Sequence, residues 1–197
     1  LVLASGLASP VVAEDPAPGN SPKALVITPA EPPTPAAPAA GSAASTEENP
    51  CFTGKGSIKD VLDGCAAFLA SGSKDTDKLI AAHGNRAIGF SATGNYDAAL
   101  AELNEAVALD PKQPNTYFMR AAADEAKKDH DKAIVDLDEA VRLDASRGDF
   151  YMLRGIVFGQ KGELDRAIVE LDQKVKLDPQ ATIGFSKRAD IYRQKKD

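Results

Sequence analysis

The sequence repeats itself every 34 residues, and that period limits the fold more than any other property of the chain. Arg86, Arg120, Arg154 and Arg188 share the interval, and so do Ala99, Ala133 and Ala167. Leu103, Leu137 and Leu171 keep it too, as do Asp97, Asp131 and Asp165 and the pairs Leu109-Asp110, Leu143-Asp144 and Leu177-Asp178. A fixed period of this length marks one supersecondary unit stacked on copies of itself. Inside each unit the pattern reads helix, short polar turn, helix. In the first, Asp75 or Thr76 can cap a helix running to about Ala92, and Gly94-Asn95 turns the chain. A second helix then opens at Asp97 and stops at Asp110-Pro111. The recurring aspartate falls in the second helix's first turn, where a negative charge meets the positive end of the helix dipole.

The pattern resembles the tetratricopeptide repeat, over residues 80–197. The first unit matches with Ala87, Phe90, Gly94, Tyr96, Ala99, Leu103, Ala106 and Pro111. The third matches with Tyr151, Gly155, Phe158, Ala167, Leu171 and Pro179, although Lys174 stands where alanine is usual. The second fits at Tyr117, Ala121, Ala133, Leu137 and Ala140, but carries Asp124, Lys128 and Ala145 where the first has Phe90, Gly94 and Pro111. A fourth opens with Phe185, Arg188, Ala189 and Tyr192. The resemblance implies an all-α chain, a right-handed α-solenoid of antiparallel helix hairpins. Its units fall at 80–113, 114–147 and 148–181, with the first helix of a truncated fourth at 182–197. Residues 51–79 read as a degenerate half-repeat that caps the array, since terminal units lack a neighbour. Ser57 and Asp60 form a capping box at the start of its helix.

The rest of the chain is of another kind. Ten of the 13 prolines lie in residues 1–50, with 12 alanines and one basic residue, Lys23. Residues 14–50 therefore read as a disordered Pro/Ala-rich linker. Residues 1–13 resemble the back half of a secretory signal peptide, small and apolar before Glu14-Asp15. An alanine-rich disordered start and a membrane anchor remain the alternatives. The net charge of −6 has no basic block against it, which argues against nucleic acid as a partner.

Few residues offer chemistry. Cys51 and Cys65 match neither a redox pair nor a zinc pattern, and in an exported chain they read as a disulfide; otherwise they are two small hydrophobes. His83 reads as a packed residue and His130 as part of a solvated charge run. No catalytic constellation, metal site or cofactor motif is visible, and no small-molecule substrate is evident. In an antiparallel hairpin the repeating arginines come level with an acid of the second helix. The expected pairs are Arg86 with Glu102, Arg120 with Asp136 and Arg154 with Glu170, structural or else an anion-binding ladder.

The reading is a non-enzymatic interaction scaffold, periplasmic or secreted and bacterial, whose partner is another protein of the cell envelope. The resemblance implies a concave groove lined by the first helix of each hairpin. Its residues here include an apolar strip, Ile88, Phe118, Met152 and Ile156, flanked by Glu125 and Asp149. The strip binds a peptide or helix, or else packs beneath the neighbouring hairpin. The alternative function is a regulatory or docking region of a larger enzyme, and a third is a spacer across the envelope.

Overall fold

The computed structural model describes residues 48–196, and within them every regular element is an α-helix. The signal-like start at 1–13 and the linker through residue 47 lie outside the described residues. The helices are α1 (Pro50–Thr53), α2 (Ile58–Ala70), α3 (Thr76–Ala92), α4 (Tyr96–Leu109) and α5 (Pro114–Ala126). They continue as α6 (His130–Leu143), α7 (Gly148–Gln160), α8 (Leu164–Leu177) and α9 (Thr182–Lys196). Helices α3/α4, α5/α6 and α7/α8 are antiparallel hairpins, and each second helix also leans on the first helix of the next hairpin. First helices touch one another along the array, α3 to α5, α5 to α7 and α7 to α9, whereas α4, α6 and α8 do not. The row of first helices is thus the tighter, inner side of the curve.

Local chemistry sets the helix ends. Asp75 caps α3 through a bond from the Lys78 amide, 3.2 Å, and Asn95 caps α4 from Ala98, 3.3 Å. Pro114 opens α5 at a position where the missing amide hydrogen costs nothing. The hairpin turns need a left-handed residue, which Gly94 and Gly162 supply without strain. In the second hairpin Lys128 takes that conformation with φ 65°.

Small residues let the paired helices approach. Ala99, Leu103 and Ala106 are 0 to 1% exposed, and Ala133, Leu137 and Ala140 are fully buried, as are Ala167 and Leu171. Each hairpin's core also receives one residue from the next hairpin's first helix: Ala123 joins Ala87, Ala99 and Leu103; Val157 joins Ala121, Ala133 and Leu137; Ile191 joins Phe158, Ala167 and Leu171. At the front the equivalent residue is Gly89, held against Leu62 of α2, where an added Cβ would come within 2.8 Å of Leu62 Cδ2. Burial between hairpins, not only within them, drives the stacking.

The N-terminal cap differs from the expected half-repeat. It is a whole hairpin whose first helix has shrunk to the single turn α1, seated against both α2 and α3. The folded part starts before Cys51, because Asn49 is 7% exposed and built in. Its Oδ1 accepts from the Cys51 amide at 2.9 Å, and its Nδ2 donates to the Gly64 carbonyl at 3.3 Å. Asn85 Nδ2 donates to the Cys51 carbonyl at 2.7 Å, which ties α1 to α3. Asn49 and Pro50 therefore belong to the cap and not to the linker.

Candidate functional site

The inner row carries the residues on which a groove would depend, and the structure treats them unequally. Ile88 on α3 is 57% exposed. It borders an apolar cleft of about 390 Å³ with Phe52, Ile58, Val61, Gly89 and Ala92, at the end where the cap hairpin is shortest. Phe118 on α5 is half-buried, leans on the core around Leu137 and Val157, and lies 5.2 Å from the Phe150 ring. Met152 on α7 packs on the core around Phe158 and Leu171. Ile156 is half-buried at a second cleft, of about 220 Å³, beside Gly159, Lys187 and Ile191. The strip is consequently open at Ile88 and packed at Phe118 and Met152.

The two flanking acids already have partners. Asp149 accepts two bonds from Arg147, at 2.7 and 3.1 Å. Glu125 accepts from Gln160 Nε2 at 2.7 Å, a bond that joins α5 to α7 across the inner row.

The repeating arginines stand level with their acids. Arg86 Nη1 lies 2.8 Å from Glu102 Oε1. Arg120 donates from Nε and Nη2 to the two oxygens of Asp136, both at 2.7 Å. Arg154 gives Nε and Nη2 to Glu170 Oε2, at 3.0 and 2.8 Å. The sequence did not reveal that the later arginines also reach the preceding hairpin. Arg120 Nη1 donates to Asn104 at 2.8 Å, Arg154 Nη1 to Asp138 at 2.7 Å, and Arg188 to Asp172. One guanidinium thus joins two hairpins through three donors in a fixed fork. Arg86 has no such upstream partner and its buried Nε is unpaired, while His83 Nδ1 takes the second oxygen of Glu102 at 2.8 Å.

The recurring first-turn aspartates have a second use. Lys127 bonds Asp97, Lys161 bonds Asp131 at 2.6 Å, and Lys195 bonds Asp165, each between neighbouring hairpins. The Lys161 ammonium holds the Asp131 carboxyl below its ordinary value. The signal was present in the sequence as lysines at the 34-residue interval.

In the cap, Cys51 and Cys65 are 1% and 0% exposed, with their sulfurs placed at bonding distance, 2.08 Å. His130 opens α6 with its ring half-buried and its Nδ1 buried and unpaired, so it is not the solvated residue that the charge run suggested. Among the described residues no three His, Cys, Asp or Glu side chains gather as a metal site, and no helix is long and apolar enough to cross a membrane.

Two sequence families match the chain over its central hairpins. The TPR repeat matches residues 90–127, and the tetratricopeptide repeat matches residues 114–147. Residues 90–147 thus carry tetratricopeptide repeats. This repeat array is similar to MamA (residues 41 to the end) from Desulfovibrio magneticus RS-1, at 19% identity over 75% of this chain and 80% of that one, TM-score 0.65. It is also similar to the second TPR domain of human RPAP3, solved in complex with the HSP70 peptide SGPTIEEVD, at 21% identity over 59% and 98%, TM-score 0.57. The TPR domain of Arabidopsis OM64 aligns at 17% identity over 60% and 98%, TM-score 0.58. At these identities the likeness concerns the fold. No curated protein sequence matches the chain.

Proposed function

We propose that the array is a non-catalytic scaffold holding a segment of another protein along its inner row. The observation that carries this is Ile88. An isoleucine 57% exposed, on the inner row and bordering a cleft of about 390 Å³, leaves apolar surface that a partner side chain would cover. The peptide held by the RPAP3 domain supports the mode of binding but not the ligand, because SGPTIEEVD is acidic. The equivalent inner positions here, Ala81, Gly84, Ile88 and Ser91, then Asn115, Phe118, Ala122 and Glu125, hold no cation. An apolar peptide or helix fits better. Two buried cysteines with their sulfurs placed at bonding distance support a working place outside the reducing cytoplasm, with an envelope protein as partner.

The test places a photo-crosslinking amino acid at Ile88, and as control at Val135, which is 67% exposed on the outer row. The expected result is a discrete adduct with one envelope protein from position 88 and none from 135. Ile88→Glu in an otherwise unlabelled chain should compete poorly for that protein. Equal adducts from both positions, or undiminished competition by Ile88→Glu, would refute the groove. Phe118 and Met152 are unsuitable here, since changing them also disturbs the cores they pack on.

A further inference from the structure

The turn end of the second hairpin departs from its neighbours at every position that matters. Where hairpins one and three carry Phe90, Gly94 and Tyr96, and Phe158, Gly162 and Leu164, the second carries Asp124, Lys128 and His130. Phe158 is 2% exposed and belongs to a core; Asp124 is 4% exposed, so a carboxylate is buried where an aromatic ring would fill the hairpin. Its Oδ1 is out of solvent and has no hydrogen-bond partner. Burying an ionised carboxylate without a donor is unfavourable, and the usual relief is to take up a proton.

We propose that the second hairpin contains a proton-binding site: Asp124 takes up a proton as the solution is acidified, and the hairpin tightens when it does. The charges around it favour Asp124 over its neighbours as the acceptor. On α5, Arg120 is committed to Asp136 of α6, which is 6% exposed and close enough for its negative charge to oppose a second one on Asp124. On α6, Lys132 is bonded to Asp129 at 3.0 Å, and His130 has its own Nδ1 unpaired. The adjoining hairpins bring Asp97, bonded to Lys127, and Lys161, bonded to Asp131, so their cations are also engaged. Burial first, and then the Asp136 charge, push the Asp124 carboxyl above its ordinary value.

The sign of the effect follows. An acid whose folded-state value is raised binds more protons folded than unfolded, so stability rises as pH falls through that raised value towards the unfolded one, about 3.9. The acids held low by partners, Asp129, Asp131 and Asp178 among them, keep their contribution above the ordinary carboxylate range and lose it as pH falls through that range and below. Above that range Asp124 sets the carboxylate response, and it does so in the middle of the array. A stacked array is stabilised neighbour by neighbour, so loosening this hairpin uncouples the first from the third. The site is independent of what the groove binds.

The experiment is amide hydrogen exchange on the full chain at about pH 5 and about pH 7.5, corrected for intrinsic exchange, which reads local opening of each hairpin. In the wild type, opening of α5 and α6 should be measurably rarer at the lower pH. Asp124→Asn, and Asp124→Phe as a second variant that restores the neighbours' residue, should lose that difference and remain closed at both pH values. His130→Gln should keep it, which separates the carboxyl from the imidazole. An absent response in the wild type overturns the proposal. So does a response that survives in both Asp124 variants, or one that vanishes in His130→Gln.

Discussion

Replacing Arg120 with methionine removes three hydrogen bonds at once and leaves the hydrocarbon stem in place. Asp136 loses both its donors, at 2.7 Å each, and is 6% exposed, so its carboxylate stays buried without a partner. Asn104 of the preceding hairpin loses its bond as well, 2.8 Å. Breaking a buried pair from one side costs about 3–5 kcal/mol. The Arg120 side chain is 22% exposed, and water can partly reach the vacated space, which places the expected loss near the lower end, about 3 kcal/mol. Removing both partners tests the cause. Arg120→Met with Asp136→Leu removes both charges of the pair, and most of the loss should be recovered. The assay is urea unfolding of the full chain followed by helical circular dichroism, with the slope watched because an array can open in parts. A loss under about 1 kcal/mol for the single variant, or a double variant as unstable as the single, would refute the reasoning. Lys127→Met is the contrast: its partner Asp97 is 84% exposed, and no measurable change is expected.

Two further outcomes are expected. Lys128→Gly should raise stability by about 0.5–1 kcal/mol, because glycine adopts φ 65° without the side-chain clash although it loosens the unfolded chain; a lowered thermal midpoint would contradict this. Cys65→Ser should loosen the cap by up to about 3 kcal/mol, the entropy of closing a loop of 14 residues, and speed exchange in α1 and α2 while leaving α5 to α8 unchanged; general unfolding would refute the neighbour-by-neighbour account.

Much of the array was legible in the sequence because its determinants are local. Ala99, Leu103 and Ala106 recur at helical spacing, and that alone specifies two helices approaching closely on a small-residue face. Arg120 and Asp136 come level because both helices of a hairpin start from one short turn, so their heights follow from counting residues. The cap was less legible. Its disguise is the one-turn α1, too short to show a helical period, and its anchor Asn49 lies at the edge of a proline-rich stretch whose composition argues for a linker.

The candidate groove shows where counting stops. Helical spacing places Ile88, Phe118, Met152 and Ile156 on one side of their helices, and the sequence alone goes no further than that. Whether each is open or covered depends on what packs beside it: Ile88 faces the shortened cap and stays exposed, while Phe118 meets Phe150 of the next hairpin and Met152 packs on the core of its own. The same holds for Arg120 with Asn104 and for Lys127 with Asp97, bonds between units that no single unit encodes. A 34-residue period therefore determined the hairpin, its turns and the ion pair inside it, through backbone geometry and short-range burial. The tertiary structure decided what passes between hairpins, because the rotation from one to the next is the joint result of Ala123, Val157 and Ile191 seating in their neighbours' cores.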